Sequence, residues 1–309
     1  MFTFRYHIVS LAAVFVALAV GILVGAAISG KLSEAEDDFT KARIASLNDQ
    51  LTEERTRTAD AERRSIAVTQ LVEDAYPALM EGRLEDRGFA VLFLGPVNND
   101  IRSAIEQTLA DAGSGSPVRL TAVDAPIDPD SLDAVLRDND ELAKYAESGD
   151  DFGDLGDALG RELIEGEGTP LWSMLSSELI EERSPGATAA PVDGAIVVSS
   201  WKPSEDEANQ DDPKVHATET LFDGLLDGLR GSGLPVVGVE TTTTNTADSA
   251  VAEFGTHGLS TVDDVDATAG RLALALLLAG GSPGHYGIKD SASDGVVPTI
   301  LPVTTTTGG

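Results

Sequence analysis

The chain has 309 residues, with 52 Asp and Glu against 21 Lys and Arg, giving a formal charge of −31. So acidic a protein lacks the basic patches that nucleic acid and anionic lipid surfaces require, which excludes both as partners. It has no cysteine, so neither disulfides nor thiolate metal sites are available and its apolar core alone must hold it together.

Residues 1–7 precede an uncharged run of 23 residues from Ile8 to Gly30. At 1.5 Å per residue the run makes ~34 Å of helix, enough to cross a bilayer core. A cleaved signal peptide is the competing reading, with Gly25-Ala26-Ala27 as its cleavage site. The run is longer than a signal h-region, which favours a retained anchor. Arg5 lies before the span, while Lys31 is followed by Glu34, Glu36, Asp37 and Asp38. The simplest topology is a cytoplasmic N-terminus and an extracytoplasmic remainder in the plasma membrane. Ala17, Gly21, Gly25 and Ser29 form a small-xxx-small face suited to helix association in lipid.

Residues 31–76 contain neither Gly nor Pro and read as helix, ending near 80 between Pro77 and Gly82. A heptad places Ile44, Leu51, Val72 and Leu79 at a, with Leu47, Ala61, Val68 and Ala75 at d. Glu54, Thr58 and Ser65 interrupt the seam, so a short, imperfect coiled coil is expected, and with it a homodimer. A surface helix packed on the domain is the plainer alternative. Gly21, Gly25, Ile44, Leu47 and Leu51 are the candidate interaction residues.

From residue 86 the pattern changes, and 86–290 reads as an α/β domain. Phe89–Leu94 is a buried strand followed by Gly95-Pro96 and a capped helix over Ile101–Ala112. Val118–Val123 is a second strand. Helical pieces follow over Asp130–Ser148, Asp154–Glu165 and Thr169–Glu182. Ala195–Val198 and Leu234–Val239 are further strands, on either side of a helix over His216–Arg230. An apolar helix over Thr268–Leu278 must be buried. Strands alternating with helices predict a mainly parallel sheet with helices on both faces. Thr241–Thr244 is read as edge strand or loop, Glu205–Asp212 as a solvated acidic loop, and 291–309 as a Thr- and Pro-rich tail.

No catalytic or cofactor motif is visible. The loop Gly95–Asp100 lies where open α/β sheets bind ligands, but it lacks phosphate-loop spacing, and Asn98 to Asp100 serve equally as helix caps. The cluster Ser260–Asp266 offers Asp263, Asp264 and Asp266 as a weak cation site without EF-hand spacing. The plainer reading of Asp264 and Asp266 is carboxylates at a helix N-terminus. Asp150, Asp151, Asp154 and Asp157 read as a solvated acidic face. His7, His216, His257 and His285 form no metal-ligand pair, so no cofactor or metal is expected.

The two ends of the chain carry a resemblance. Arg5–Phe15 (RYHIVSLAAVF) leading to Gly21–Gly25 (GILVG), with Ser260–Asp266 (STVDDVD), Gly270-Arg271 and Gly281–Gly287 (GSPGHYG), resemble the actinobacterial MctB-like family. The middle, roughly 90–250, matches only in the order of its elements. The resemblance implies an envelope protein of corynebacteria, mycobacteria or relatives. It carries two functional labels: copper export, and, for the SteB-like corynebacterial branch, a divisome role with a SteA-like membrane protein and a peptidoglycan hydrolase. Copper(I) prefers thiolate and thioether ligands and copper(II) imidazole. The chain has no Cys, and Met1, Met80 and Met174 are dispersed. On these residues a membrane-anchored division scaffold is the first reading and copper transport the second.

Overall fold

The computed structural model describes residues 3–146, 152–165, 170–183, 191–203 and 212–300. The chain divides into two compact units, Met1–Gln70 and Leu71–Gly309. Helix α1, Thr3–Met80, supplies the first unit and contributes its last turns to the second. Within it Ser10–Ala27 is long and apolar enough to cross a membrane. The segments read over 8–30 and 31–80 fall within this helix. Pro77 does not end it. A proline costs an interior helix one N–H bond, and one further turn carries the helix to Met80.

The second unit is built on a seven-stranded sheet of order β3-β2-β1-β4-β5-β6-β7. The strands are β1 (Ala90–Leu94), β2 (Arg119–Val123), β3 (Ile180–Arg183), β4 (Ala195–Ser199), β5 (Val236–Val239), β6 (Ser260–Val262) and β7 (His285–Tyr286). All neighbours pair in parallel except β2 and β3. The fold is therefore α/β with a mainly parallel sheet, as expected. Three strands were not expected. Ile180–Arg183 was read as the end of a helix, yet it forms the antiparallel edge against β2. The segments Ser260–Val262 and His285–Tyr286 are too short to show strand periodicity. Thr241–Thr244 is loop.

The helices between strands are α2 (Asn99–Asp111), α3 (Pro129–Asp138), α4 (Ala143–Ala146), α5 (Gly153–Glu165), α6 (Pro170–Met174), α7 (Ser176–Leu179), α8 (Pro213–Gly231), α9 (Val251–Thr256) and α10 (Thr268–Leu278). Alternate residues of each strand face opposite layers. Leu92, Leu94 and Val197 pack with α3, α5 and α8. Val91, Phe93, Ile196 and Val198 pack with α2, α10 and the end of α1, where Tyr76 and Met80 are buried. Burial on both faces explains the unbroken apolar strands Ala90–Leu94 and Ala195–Val198.

The tightest helix contact is between α5 and α8. Gly156 and Gly160 on α5 face Gly224 and Gly228 on α8. A Cβ on any of the four would overlap backbone of the opposite helix: Leu221 O, Leu225 O, Gly153 O and Asp157 O respectively. Two GxxxG pairs thus interlock inside the second unit. In the apolar span, by contrast, added Cβ atoms on Gly21 and Gly25 meet nothing. Gly228→Ala is expected to destabilise the domain by about 3 kcal/mol through overpacking. Gly231→Ala, at a position with open space around it, should leave the thermal unfolding midpoint nearly unchanged.

Candidate functional site

Six strands of the sheet run parallel, so their carboxyl ends share one edge, the edge at which open α/β sheets bind ligands. The strand order reverses between β1 and β4. At that switch point the crevice is filled. Ser200 N and Trp201 N both donate to Leu94 O, at 2.9 and 3.1 Å. The Trp201 ring stands edge-on to Phe222 with centroids 5.9 Å apart. Gly95 (φ +101°) permits this approach, because a Cβ there would lie 2.6 Å from Trp201 Cβ. Asn98 caps α2, its Oδ1 accepting from Asp100 N at 3.0 Å and Ile101 N at 3.2 Å. The Gly95–Asp100 loop is a capping device.

Farther along the same edge, the loops after β5, β6 and β7 bring Glu240, Asp263, Asp264, Asp266 and Lys289 together. Asp263 is buried and organises the loop after β7. Its Oδ1 accepts from Ile288 N at 2.9 Å, and its Oδ2 from Lys289 N and Ser291 Oγ, both at 3.2 Å. Glu240 accepts from Lys289 Nζ at 2.8 Å and from Ser249 Oγ at 3.1 Å, and Lys289 Nζ also donates to Thr241 O at 2.7 Å. Asp266 accepts from Thr242 N at 2.7 Å and Thr242 Oγ1 at 2.6 Å. These carboxylates tie three loops to one another.

Asp264 differs. It is 0% exposed, and neither of its carboxylate oxygens has a hydrogen-bond partner. Burial, reinforced by the charges of Asp263 and Asp266, pushes its pKa up to about 7. The expectation that Asp264 and Asp266 serve the N-terminus of α10 is corrected. The N-cap there is Ala267, with no side-chain cap bond. Asp266 turns instead to Thr242, and Asp264 lies beneath Gly270, whose missing Cβ would fall 2.5 Å from its Oδ1. Asp263, Asp264 and Asp266 point to different partners. Among the described residues no group of three carboxylate or imidazole side chains converges to hold a metal ion.

A second polar assembly joins α8 to the turn after α9. His257 Nδ1 and Nε2 lie 2.9 Å from Asp227 Oδ1 and 3.0 Å from Asp223 Oδ1. Burial works against the imidazolium, but the bonds to Asp227 and Asp223 outweigh it and raise the pKa. His285 Nδ1 meets Thr261 Oγ1 at 2.9 Å, and His216 lines a cavity beside α3. Of the candidate interaction residues, Ile44, Leu47 and Leu51 are 54, 49 and 53% exposed. The side chain of His7, the pair Asp150 and Asp151, Glu205 to Asp211 and the tail from 301 lie outside the described residues, whereas Asp154 opens α5 and Asp157 pairs with Arg161. Sequence reading passed over Glu240, Lys289 and Trp201, which carry no motif. It also passed over the GxxxG pairs at 156–160 and 224–228, which were legible as spacing.

The raised pKa of Asp264 has a definite sign. The unfolded carboxyl ionises near 3.8 and the folded one near 7. The fold is therefore unpenalised below about pH 4 and loses stability as pH rises toward 7, by up to ~4 kcal/mol. Asp264→Asn should raise the melting temperature at neutral pH, with the gain shrinking to nothing near pH 4.

Comparison with known proteins places this architecture. Residues 1–298 match the family described as copper transport outer membrane protein, MctB. Proteins named copper transporter MctB from Mycobacterium tuberculosis and Mycobacterium bovis are 27% identical over 323 aligned positions. The alignment covers 94% of this chain and 98% of theirs. The names favour copper transport over the division role that residue chemistry put first. The match takes in the apolar helix, the long helix and nearly all of the α/β domain, so the chain belongs to the MctB family of cell-envelope proteins.

Proposed function

We propose that this chain serves copper transport in the cell envelope as an anchored, self-associating component rather than as the conduit. The observation that carries the reading is the match over residues 1–298, which spans anchor, long helix and domain together. The chemistry limits the role. Among the described residues one helix is long and apolar enough to span a membrane, and a lone span encloses no path. A chain without cysteine and with three methionines is poor in the soft ligands that copper(I) needs. Metal would therefore be carried by an assembly of copies or by partners. The charge distribution around the span supports a cytoplasmic N-terminus and an extracytoplasmic domain.

Self-association is supported by the first unit taken alone. Ile44, Leu47, Leu51 and Val68 are exposed on one helix and recur at heptad spacing. A second copy in the same membrane runs parallel, so Arg57 at g comes opposite Glu62 at e of the partner copy. A second reading, a SteB-like division scaffold acting with a SteA-like protein and a peptidoglycan hydrolase, rests on the same seam and on the poverty of copper ligands.

One strain set separates the two. Deletion of the gene should sensitise cells to copper, and the wild-type chain should restore tolerance. Normal copper tolerance with misplaced or leaky septa would overturn the copper reading in favour of the scaffold. Leu47→Asp with Leu51→Asp should abolish the cross-linked dimer in membranes; dimers of unchanged yield would remove the coiled-coil seam from either reading.

A further inference from the structure

The carboxyl edge of the sheet carries an open cavity displaced from the switch point that Trp201 fills. It has a volume of about 330 Å³ and lies where α3 and α8 begin, after β2 and β4. That is the lower end of the ~300–1,000 Å³ typical of small-molecule pockets. Tyr145 and Phe152 give it aromatic walls, and Asp130, Asp133, Arg137 and His216 supply its polar groups.

The charges decide what it can hold. Both helix N-termini are already satisfied from within. Asp128 caps α3, accepting from Asp130 N and Ser131 N at 3.2 and 3.3 Å. Asp212 caps α8, accepting from Lys214 N at 2.8 Å. Each helix also begins with a proline, which has no N–H to offer. An anion therefore finds few donors here. The nearby cations are committed as well: Lys214 Nζ lies 2.9 Å from Asp128 Oδ2, and Arg137 Nη1 lies 3.0 Å from Asp133 Oδ2. Among the described residues that line the cavity, which do not include Lys144, Asp130 is then the charge left over, and it is negative. The Tyr145 ring already accepts an ammonium on its face, with Lys144 Nζ 4.7 Å from the centroid.

We propose that this cavity binds a small organic cation, a primary amine or guanidinium on a flat or apolar body. The body stacks between Tyr145 and Phe152 while the N–H groups reach Asp130 and Asp133. The site is independent of copper and of self-association, since every residue in it belongs to the second unit.

The test titrates the detergent-solubilised full chain with benzylamine, benzyl alcohol and benzoate, probes of one shape and three charges. Benzylamine should bind saturably, with a dissociation constant of about 1 mM or tighter. Benzyl alcohol and benzoate should each bind at least about tenfold more weakly. Asp130→Asn with Asp133→Asn should weaken benzylamine by about tenfold or more while the melting temperature is kept. Asp130→Asn alone changes an exposed side chain and serves if the double variant unfolds. Absence of saturable benzylamine binding, benzoate binding as well as benzylamine, or undiminished affinity in the variants would each overturn the proposal.

Discussion

Four glycines let α5 and α8 meet backbone to backbone, and the rest of the domain depends on where that contact sets α8. From this position α8 presents a different side to each neighbour. Its start lines the cavity with Pro213, His216 and Ala217, and Lys214 ties it to the cap of α3. Its middle offers Phe222 to Trp201, which plugs the switch point, and its far side gives Asp223 and Asp227 to His257. A shift of α8 by the width of a methyl group would disturb all four. Close-packed interiors transmit such strain rather than absorb it.

The charge of −31 makes the handling of carboxylates the second constraint. Surface acids meet water and cost little. Three acids at the carboxyl edge, Glu240, Asp263 and Asp264, are buried, and two of them are compensated: Asp263 by backbone N–H groups and Glu240 by Lys289. Asp264 is the exception. A buried polar group without a partner is a standing cost, and here it is met by keeping the proton to about pH 7. Natural sequences retain such costs at functional or strained positions.

The chain is poor in the soft donors that copper(I) prefers. A family described by copper transport is represented here by a chain without thiols, and among the described residues His257 and His285 bond to Asp223, Asp227 and Thr261 while His216 stands at the cavity. This poverty of donors is why action through assembly is proposed. The exposed apolar residues Ile44, Leu47 and Leu51 of α1 support that proposal as well.

Composition and periodicity by themselves determined the apolar helix, the long helix after it, the alternation of strands and helices, and hence the α/β class. Each of those is a local pattern, read within a window of a dozen residues. The residues of the edge were legible only as types. Asp263, Asp264 and Asp266 stand within four positions of one another, yet one braces a loop, one is buried without a partner and one holds Thr242. Nothing in their spacing separates these fates, because the deciding partners lie 24 or more residues away. The strands Ser260–Val262 and His285–Tyr286 exist only through their pairing with β5 and with each other. The GxxxG spacing was equally visible at 21–25, 156–160 and 224–228, and only the tertiary structure shows which pairs touch. A small residue permits a close approach, but a neighbour must be there to make it.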